Sequence, residues 1–495
     1  MDFLERRKIL VSIIVNLINS SQGLFIVRLG FVIALLVIVN VIPTQTHVTS
    51  QTKIDLPIGG MFAINNGTNL GNIDRVSAFN LAIYEINSNP NILPGYNLVG
   101  IPVDSQSDPE IAKVELQNLI NQNIAALIGP SLSRVAEVIA KNSDLPMISP
   151  SATSVLLSDK DQFPNFILMT TSDRFQRIAL LDIVAHFDWP LISIVTSKDS
   201  YGQGNVNPIL NSKSGTSVGV STYQDLAQDL KIVIDKTILL EQGKSDIRKE
   251  LQKIKDGKSK VILINLIATD AIPVLETAYD LGLTAENGYV WIGSDGVMQR
   301  EIINQNQAVN QVSQGMIGLN PKPVETANYV KFLDTWENCG GQSSSQYPGC
   351  GDRNPNIYAP FTYDSVYFLA YALDTMVRDG LDIFDHQLLV EQLYKTQIQG
   401  ATGDLQIDDF GDRTGSYSLM NVQGDGITRV GEWKVETGLD ISGTIIWNGN
   451  VLRPSTEVPR GVKGILDFTD YLFFGLFIQI IMRKYKEKKS PKSIM

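Results

Sequence analysis

The sequence predicts an α/β protein of two lobes, each built on a doubly wound, mostly parallel sheet, with a ligand cleft between the lobes. Short and nearly continuous apolar runs alternate with segments of helical periodicity, which is typical of parallel strands covered by helices. Two such series follow one another, and together they exceed what one compact sheet usually holds. Hydroxyl or acidic residues directly follow apolar runs in both series, which places polar groups at the carboxyl ends of strands.

The first series supplies the elements of one lobe. Val76, Phe79, Ile83 and Ile86 recur at helical spacing and predict the first helix over 74–87. Apolar runs predict strands over 58–64, 98–103, 124–128 and 147–148, and the segments between them predict helices over 109–122 and 135–141. This series ends near residue 190.

The second series supplies the other lobe. Apolar runs predict strands over 191–196, 261–266 and 289–292, and the last two flank a helix over 272–282. Segments late in the chain return to both lobes and predict three crossings between them. The expected boundaries are a signal or signal-anchor region over 1–50, lobe 1 over 54–190 plus 321–412, lobe 2 over 191–320 plus 413–450, and a short apolar segment with a basic tail over 465–495.

Composition and charge exclude several classes of function. The 495 residues are 43% hydrophobic and 19% charged, which is typical of a globular protein and not of a disordered one. The net charge is −11 although both ends of the chain are basic, so the body is acidic and nucleic acid is not an expected partner. Three widely separated histidines argue against a histidine metal site. We expect neither a metal nor a cofactor.

Two apolar segments bracket the body and indicate a membrane location. Residues 29–42 have the length of a signal-peptide core, whereas a start at residue 24 would make an uncleaved signal anchor. Residues 471–482 are apolar and precede a basic run, as at a stop-transfer end with a cytoplasmic tail. A helix of that length reaches about 18 Å, less than the bilayer core of roughly 30 Å, so an interfacial or buried helix is the equal alternative. We expect an extracellular body at the cell membrane, with secretion as the alternative.

Cysteine usage agrees with export. Cys339 and Cys350 are the two cysteines; they flank a polar loop, and a local disulfide across it is expected in an oxidising compartment. Zinc binding is not expected, because their spacing is wrong and no further His or Cys lies nearby. Asn66 begins an acceptor sequence for N-glycosylation.

The stretch ISPSATS at 148–154 carries the strongest functional signal. It follows an apolar run and precedes a helix-compatible one, so its hydroxyls and backbone N–H groups are expected to point together, as carboxylate binding requires. A second such turn contains Ser172, and Asp295 ends a strand of the second series. An anion site in one lobe and an acid in the other indicate a small zwitterion such as an amino acid. Taken singly, each turn is better explained as a helix cap.

Over roughly 54–450 the sequence also resembles a known family. The matching motifs occur in order: DRV at 74–76, INSNPNILPG at 86–95, ALIGP at 126–130, ISPSATS at 148–154, SD at 172–173, DW at 188–189, SYG at 200–202, GSDG at 293–296, YDSVY at 363–367, the run 400–421, and GEW at 431–433. Together they resemble type I periplasmic-binding-like proteins, which include bacterial branched-chain amino-acid-binding proteins and the Venus flytrap modules of class C G protein-coupled receptors such as metabotropic glutamate receptors. The details are more similar to the receptor branch, and the resemblance implies a bilobal periplasmic-binding-protein-like type I fold.

The resemblance also implies roles for residues of this chain. Ser151, in the turn with Ala152 and Thr153, would bind the ligand carboxylate through its hydroxyl and neighbouring N–H groups. Ser172 would contribute backbone contacts. Asp295 would pair with the ligand ammonium from lobe 2.

Further implied positions lie around this head-group site. Tyr201 would lie near the cleft at the start of the first helix of lobe 2. Arg174 departs from relatives that have a threonine there, and its cation would repel an ammonium or pair with a second ligand carboxylate. The basic residues that hold a glutamate side chain in relatives have no counterpart in the loop 65–73. The resemblance also implies a paired-cysteine loop at Cys339 and Cys350, and a homo- or heterodimer through lobe 1.

We therefore expect an extracellular receptor module that binds a small, amino-acid-like molecule and is not an enzyme. The sequence contains neither a Gly-x-Ser-x-Gly elbow nor a Walker loop. No seven-span region follows the flytrap in this sequence, so we expect a membrane-tethered or secreted binder or a truncated receptor. The alternatives are a solute-binding protein of a branched-chain amino-acid-type ABC transporter and a dimerisation module that binds no ligand.

Overall fold

A computed structural model describes residues 53–64, 72–206, 221–338, 347, 350–351 and 354–447. The segments predicted for 1–50 and 465–495, the sequon at Asn66 and the first cysteine, Cys339, lie outside these residues. Within the described residues, no helix combines the length and the hydropathy needed to cross a bilayer.

The first sheet has six strands, and every neighbouring pair is parallel. They are β1 (Ile54–Phe62), β2 (Tyr96–Asp104), β3 (Leu127–Ile128), β4 (Met147–Ser149), β5 (Phe166–Thr171) and β13 (Asp412–Arg413), in the spatial order β13-β5-β4-β3-β1-β2. Strand β5 is buried along its whole length. Ile167 and Met169 join one hydrophobic core, whereas Phe166 and Leu168 join another on the opposite face. This burial on both faces explains the continuous apolar runs in the sequence.

The second sheet has eight strands and mixes both directions. They are β6 (Leu191–Ser197), β7 (Val233–Leu240), β8 (Val261–Asn265), β9 (Val290–Gly293), β10 (Ile317–Pro321), β14 (Ser416–Gln423), β15 (Gly426–Lys434) and β16 (Gly438–Ile441), in the order β16-β15-β14-β10-β9-β8-β6-β7. The strands from β6 to β10 are parallel, and β14, β15 and β16 add an antiparallel edge. Strands β11 (Ile398–Gly400) and β12 (Gly403–Leu405) form a separate hairpin.

Helices cover both faces of both sheets. They are α1 (Asn72–Ser88), α2 (Pro109–Ile120), α3 (Ser133–Lys141), α4 (Asp173–His186), α5 (Ser200–Val206), α6 (Tyr223–Asp229), α7 (Ile247–Lys255), α8 (Ala268–Asp280), α9 (Arg300–Ile303), α10 (Gln307–Ser313), α11 (Ala327–Asn338), α12 (Ala359–Arg378) and α13 (His386–Lys395), with 3₁₀ turns at Val155–Ser158 and Ala285–Asn287. Local signals begin several of them. In α2, for example, the Asp108 side chain accepts a hydrogen bond from the N–H of Glu110, and Pro109 occupies the first turn.

Each lobe consists of one sheet between two helical layers. The first sheet packs between α1, α11, α12 and α13 on one face and α2 and α3 on the other. The second sheet packs between α7, α8, α9 and α10 on one face and α4 and α6 on the other. The fold is therefore α/β and bilobal, of the type I periplasmic-binding-like class.

The packing of α4 bears on where the chain first crosses between the lobes. This helix follows β5 of the first sheet, but Ala179, Leu180 and Ile183 pack in the core of the second sheet. We therefore propose that the first crossing lies at Ser172, at the start of α4, whereas the boundary near residue 190 stays a prediction from the sequence. Strand pairing places the later crossings after β10 and between β13 and β14. We propose lobe boundaries at these positions.

Candidate functional site

A cleft lies between the lobes at the carboxyl ends of their strands. Its empty space, including the opening to solvent, is about 550 Å³. Lobe 1 contributes the loops after β2, β3 and β4 and the starts of α1 and α12, and lobe 2 contributes α5 and the loops after β8 and β9. The lining residues are Arg75, Ser107, Ser131, Leu132, Ser133, Ser151, Thr153, Tyr201, Ile267, Ala268, Thr269, Asp295, Gly296, Gln299 and Tyr358.

Ser151 faces this cleft from the loop between β4 and the first 3₁₀ turn. Its hydroxyl donates to the backbone carbonyl of Ser131 at 2.9 Å. The N–H groups of Ser151 and Ala152 both donate to the hydroxyl oxygen of Ser149, at 3.3 and 2.9 Å. These two N–H groups are thus used inside the turn, and the group that Ser151 offers to a ligand is its rotatable hydroxyl.

Two further hydroxyls line the same wall. The side-chain oxygens of Ser107 and Ser131 are buried, and neither has a hydrogen-bond partner within the described part of the chain. An unpaired buried hydroxyl costs roughly 1–3 kcal/mol. Ser107 and Ser131 therefore mark two polar positions that a bound molecule or ordered water would satisfy.

Asp295 faces the cleft from lobe 2, two residues after β9, and is 1% exposed. One carboxylate oxygen accepts hydrogen bonds from the Tyr201 hydroxyl at 3.1 Å and the Gly296 N–H at 2.8 Å, and the other accepts from the Tyr358 hydroxyl at 2.5 Å. Burial, and then the charge of Asp295, raise the pKa of both phenols well above their usual range, so both stay protonated and donate. A Cβ at Gly296 would lie 2.4 Å from the carbonyl oxygen of Leu266, so this turn requires glycine.

Arg75 brings a cation to the wall of lobe 1. It lies in α1, is 4% exposed, and its guanidinium carbon is 4.8 Å from the ring centre of Tyr358. Burial lowers the pKa of Arg75, whereas Tyr358, Asp74 and Asp295 raise it. The cleft therefore has a cationic group on one lobe and the carboxylate of Asp295 on the other, an arrangement that suits a small molecule with both an anionic and a cationic group.

The structure brings four of the predicted residues to the cleft: Ser151, Thr153, Tyr201 and Asp295. Ala152 and Ser172 are not among the lining residues, and both are fully buried. Ser172 begins α4, where its hydroxyl accepts a hydrogen bond from the backbone N–H of Arg174 at 3.5 Å. Its position is that of a helix cap.

Arg174 lies in the first turn of α4 and does not line the cleft. Its guanidinium is 2.6 Å from a carboxylate oxygen of Asp408 and 4.0 Å from one of Asp412. The rings of Phe175 and Phe410 lie within 4.5 and 4.9 Å of the guanidinium carbon. The guanidinium thus pairs with two acids of the same chain, whereas from the sequence we expected it to face the ligand.

Sequence reasoning missed Arg75, Tyr358 and the hydroxyls of Ser107 and Ser131. Arg75 had a usable signal, since it lies in the first turns of the helix after β1 and therefore near the carboxyl end of that strand. No sequence signal indicated a role for Tyr358 in the cleft, because its partner, Asp295, lies 63 residues away in the sequence.

Cys350 is buried, and its sulfur lies 2.8 Å from the carbonyl oxygen of Trp336. Because Cys339 lies outside the described residues, the disulfide between these cysteines stays a prediction. The described residues contain no group of three or more His, Cys, Asp or Glu side chains that could hold a metal ion.

Comparison with known proteins adds an independent line of evidence. The family described as "Receptor family ligand binding region" matches residues 74–425, more than two thirds of the chain. Glutamate receptor 3.1 of Oryza sativa subsp. japonica is 25% identical over 414 residues, which cover 78% of this chain and 42% of that protein. Glutamate receptor 3.2 of Arabidopsis thaliana is 24% identical over 416 residues, which cover 78% of this chain and 43% of that protein. The chain thus matches less than half the length of these relatives.

Proposed function

We propose, since this chain belongs to the family of receptor ligand-binding regions, that it is an extracellular receptor module whose cleft binds an amino-acid-like ligand. The observation that carries the proposal is the charge arrangement of one cleft. Lobe 1 presents Arg75 and the hydroxyls of Ser107 and Ser131, which have no partner in the described part of the chain, and lobe 2 presents Asp295. The relatives named glutamate receptors support the same ligand class.

Lobe 1 would bind the ligand carboxylate. The hydroxyls of Ser107, Ser131 and Ser151 are hydrogen-bond donors once they rotate toward an anion, and the Arg75 guanidinium adds charge. A carboxylate at this wall would satisfy the two hydroxyls, those of Ser107 and Ser131, that have no hydrogen-bond partner within the described residues. Arg75 would hold either the head-group carboxylate or a carboxylate on the ligand side chain, and a comparison of L-glutamate with L-alanine distinguishes these two roles.

Lobe 2 would bind the ligand ammonium. Asp295 already accepts three hydrogen bonds, from Tyr201, Gly296 and Tyr358. A carboxylate offers about four acceptor positions, so an ammonium can add to these partners without replacing them. The two phenols hold the carboxylate in place, and the ammonium then gains a charged partner in a site largely shielded from water.

We also propose that the module is attached to a membrane and faces the outside of the cell. The apolar segments at 29–42 and 471–482 and the basic tail support this location, and glycosylation at Asn66, a Cys339–Cys350 disulfide and a dimer through lobe 1 would accompany it. Protease treatment of intact cells should remove the body and spare a C-terminal tag. Digestion of the tag together with the body would favour a secreted protein.

Thermal unfolding of the chain with glycine and with each of the other standard amino acids in its L form tests the ligand class. A ligand at a hundred times its Kd should stabilise the folded protein by about 2.7 kcal/mol. An Asp295→Asn variant should lose this stabilisation. An Asp280→Asn variant should keep it, because that acid is exposed at the far end of α8 and pairs there with Arg248. If no amino acid stabilised the protein, the dimerisation function would be favoured instead.

A further inference from the structure

We propose that Arg134 is a positioning residue that latches the two lobes together at the mouth of the cleft. The latch consists of Arg134 from lobe 1 and of Asp199 and Asp270 from lobe 2. Its effect on ligand affinity rests on the function proposed above, but its effect on the closure of the lobes does not.

The geometry of the latch crosses the cleft. Arg134 lies in α3 of lobe 1, and its Nε donates to the backbone carbonyl of Ser107 in the same lobe at 3.2 Å. Its Nη1 lies 3.4 Å from a carboxylate oxygen of Asp270 and 3.6 Å from one of Asp199. The guanidinium is thus anchored to lobe 1 by Nε and faces two acids of lobe 2 with Nη1, while Nη2 is buried with no hydrogen-bond partner within the described residues.

The acids are themselves held in place by lobe 2. The second oxygen of Asp199 accepts hydrogen bonds from the Ser197 hydroxyl at 2.5 Å and the Gly202 N–H at 3.3 Å. Asp270 lies in the first turn of α8, where the helix dipole favours a negative charge. A fixed donor that meets fixed acceptors loses little conformational entropy when the pair forms.

The contact is more buried than an ordinary surface ion pair, so removal of one partner should be costly. The side chain of Arg134 is 9% exposed, and those of Asp199 and Asp270 are 19% and 12% exposed. Burial raises the pKa of Asp270, and Arg134 opposes that rise. Without the guanidinium, two nearby acids would face each other with no cation between them, so Arg134 is the group that makes the closed arrangement of these acids favourable.

The latch acts directly on the walls of the cleft. Arg134 follows Ser133 in the chain and Asp270 follows Thr269, and both of these neighbours line the cleft. A second contact between the lobes lies beside it, because the Ser154 hydroxyl donates to the carbonyl oxygen of Ser200 at 2.6 Å. We infer that the latch raises the closed population before ligand binds and slows ligand release afterwards.

Hydrogen exchange of the full chain without ligand tests the latch. In an Arg134→Gln variant, the amides near Ser133 and Thr269 should exchange on the order of tenfold faster, as expected when a partly buried ion pair is lost, while the cores of both sheets keep their wild-type rates. Arg134→Lys keeps the charge but loses the Nε hydrogen bond to the Ser107 carbonyl, and it should restore part of the protection. An Arg248→Gln variant is the matched control, because its ion pair with Asp280 is exposed and lies within lobe 2.

The outcomes separate the latch from the proposed ligand function. Wild-type exchange at the mouth in Arg134→Gln, or faster exchange throughout the protein, would overturn the latch. If Arg134→Gln does not fold, Asp270→Asn must show the same local increase, and unchanged exchange in that variant also rejects the idea. Local opening combined with no binding of any L-amino acid would leave the latch standing and refute the proposed ligand class.

Discussion

The hydroxyl of Tyr358 donates to a carboxylate oxygen of Asp295 at 2.5 Å and joins the two lobes across the cleft. Tyr358 directly precedes α12, which packs in lobe 1, and Asp295 follows β9 in lobe 2. The Asp295 carboxylate, which we propose as the partner of the ligand ammonium, therefore also accepts a hydrogen bond that holds the lobes together. Ligand binding and closure share one chemical group.

Replacing Asp295 by Asn should weaken binding of an amino acid by about 3 kcal/mol or more, because the ammonium then has no charged partner in lobe 2. The variant also loses charge-assisted hydrogen bonds from Tyr201 and Tyr358, so closure should be hindered. Calorimetric titration with the amino acid that stabilises the wild-type protein most will measure the loss. An affinity equal to that of the wild type would place the ammonium elsewhere.

Replacing Ser151 by Ala should weaken binding by about 1.5–3 kcal/mol, since one hydrogen bond to a charged carboxylate is removed. The fold should tolerate the change, because only the hydrogen bond to the Ser131 carbonyl is lost with the hydroxyl. Ser88→Ala is a suitable control, because that hydroxyl bonds within α1 to the carbonyl oxygen of Tyr84 and does not line the cleft. Equal losses of affinity in the two variants would argue against a specific contact at Ser151.

Replacing Arg174 by Thr should lower the free energy of unfolding by about 1–3 kcal/mol and leave the preference among ligands unchanged. The side chains of Arg174 and Asp408 are 17% and 29% exposed. Removing this ion pair should therefore cost more free energy of unfolding than removing an exposed pair and less than removing a fully buried one. A double-mutant cycle with Asp408→Asn, followed by urea unfolding, measures the pair. If the variant preferred acidic ligands where the wild type prefers neutral ones, or the reverse, Arg174 would have to contact the ligand.

The buried carboxyl of Asp173 should make stability depend on pH. Burial and the charge of Asp295 raise the pKa of Asp173 well above its usual range, and Arg177 opposes that rise only in part. A folded-state pKa above the unfolded value contributes stability at low pH that is lost as the pH rises through the folded pKa. Urea unfolding of the wild type and of Asp173→Asn should be measured between about pH 4 and about pH 8. The free energy of unfolding of the variant, relative to that of the wild type, should increase as the pH rises. A constant difference would mean that Asp173 does not titrate differently in the two states.

Much of the fold was open to prediction from sequence, because its signals are local. The strand β8 is buried on both faces and appears as a continuous apolar run, and α1 repeats Val76, Phe79 and Ile83 at helical spacing. The packing of α4 was not predictable in this way. This helix directly follows β5 of the first sheet in the chain, but its apolar residues pack in a core assembled from strands that are distant in the sequence.

The sequence by itself determined where polar groups follow strands, and this was enough to bring Ser151 and Asp295 to attention. Both line the cleft, because the carboxyl ends of parallel strands share one edge of a sheet. Only the tertiary structure decided the partners. Tyr358 reaches Asp295, Arg134 reaches Asp270 and Arg174 turns to Asp408, each across a long stretch of chain. The strength of a polar contact depends on the distance in space between the two groups. Their separation along the sequence does not give that distance.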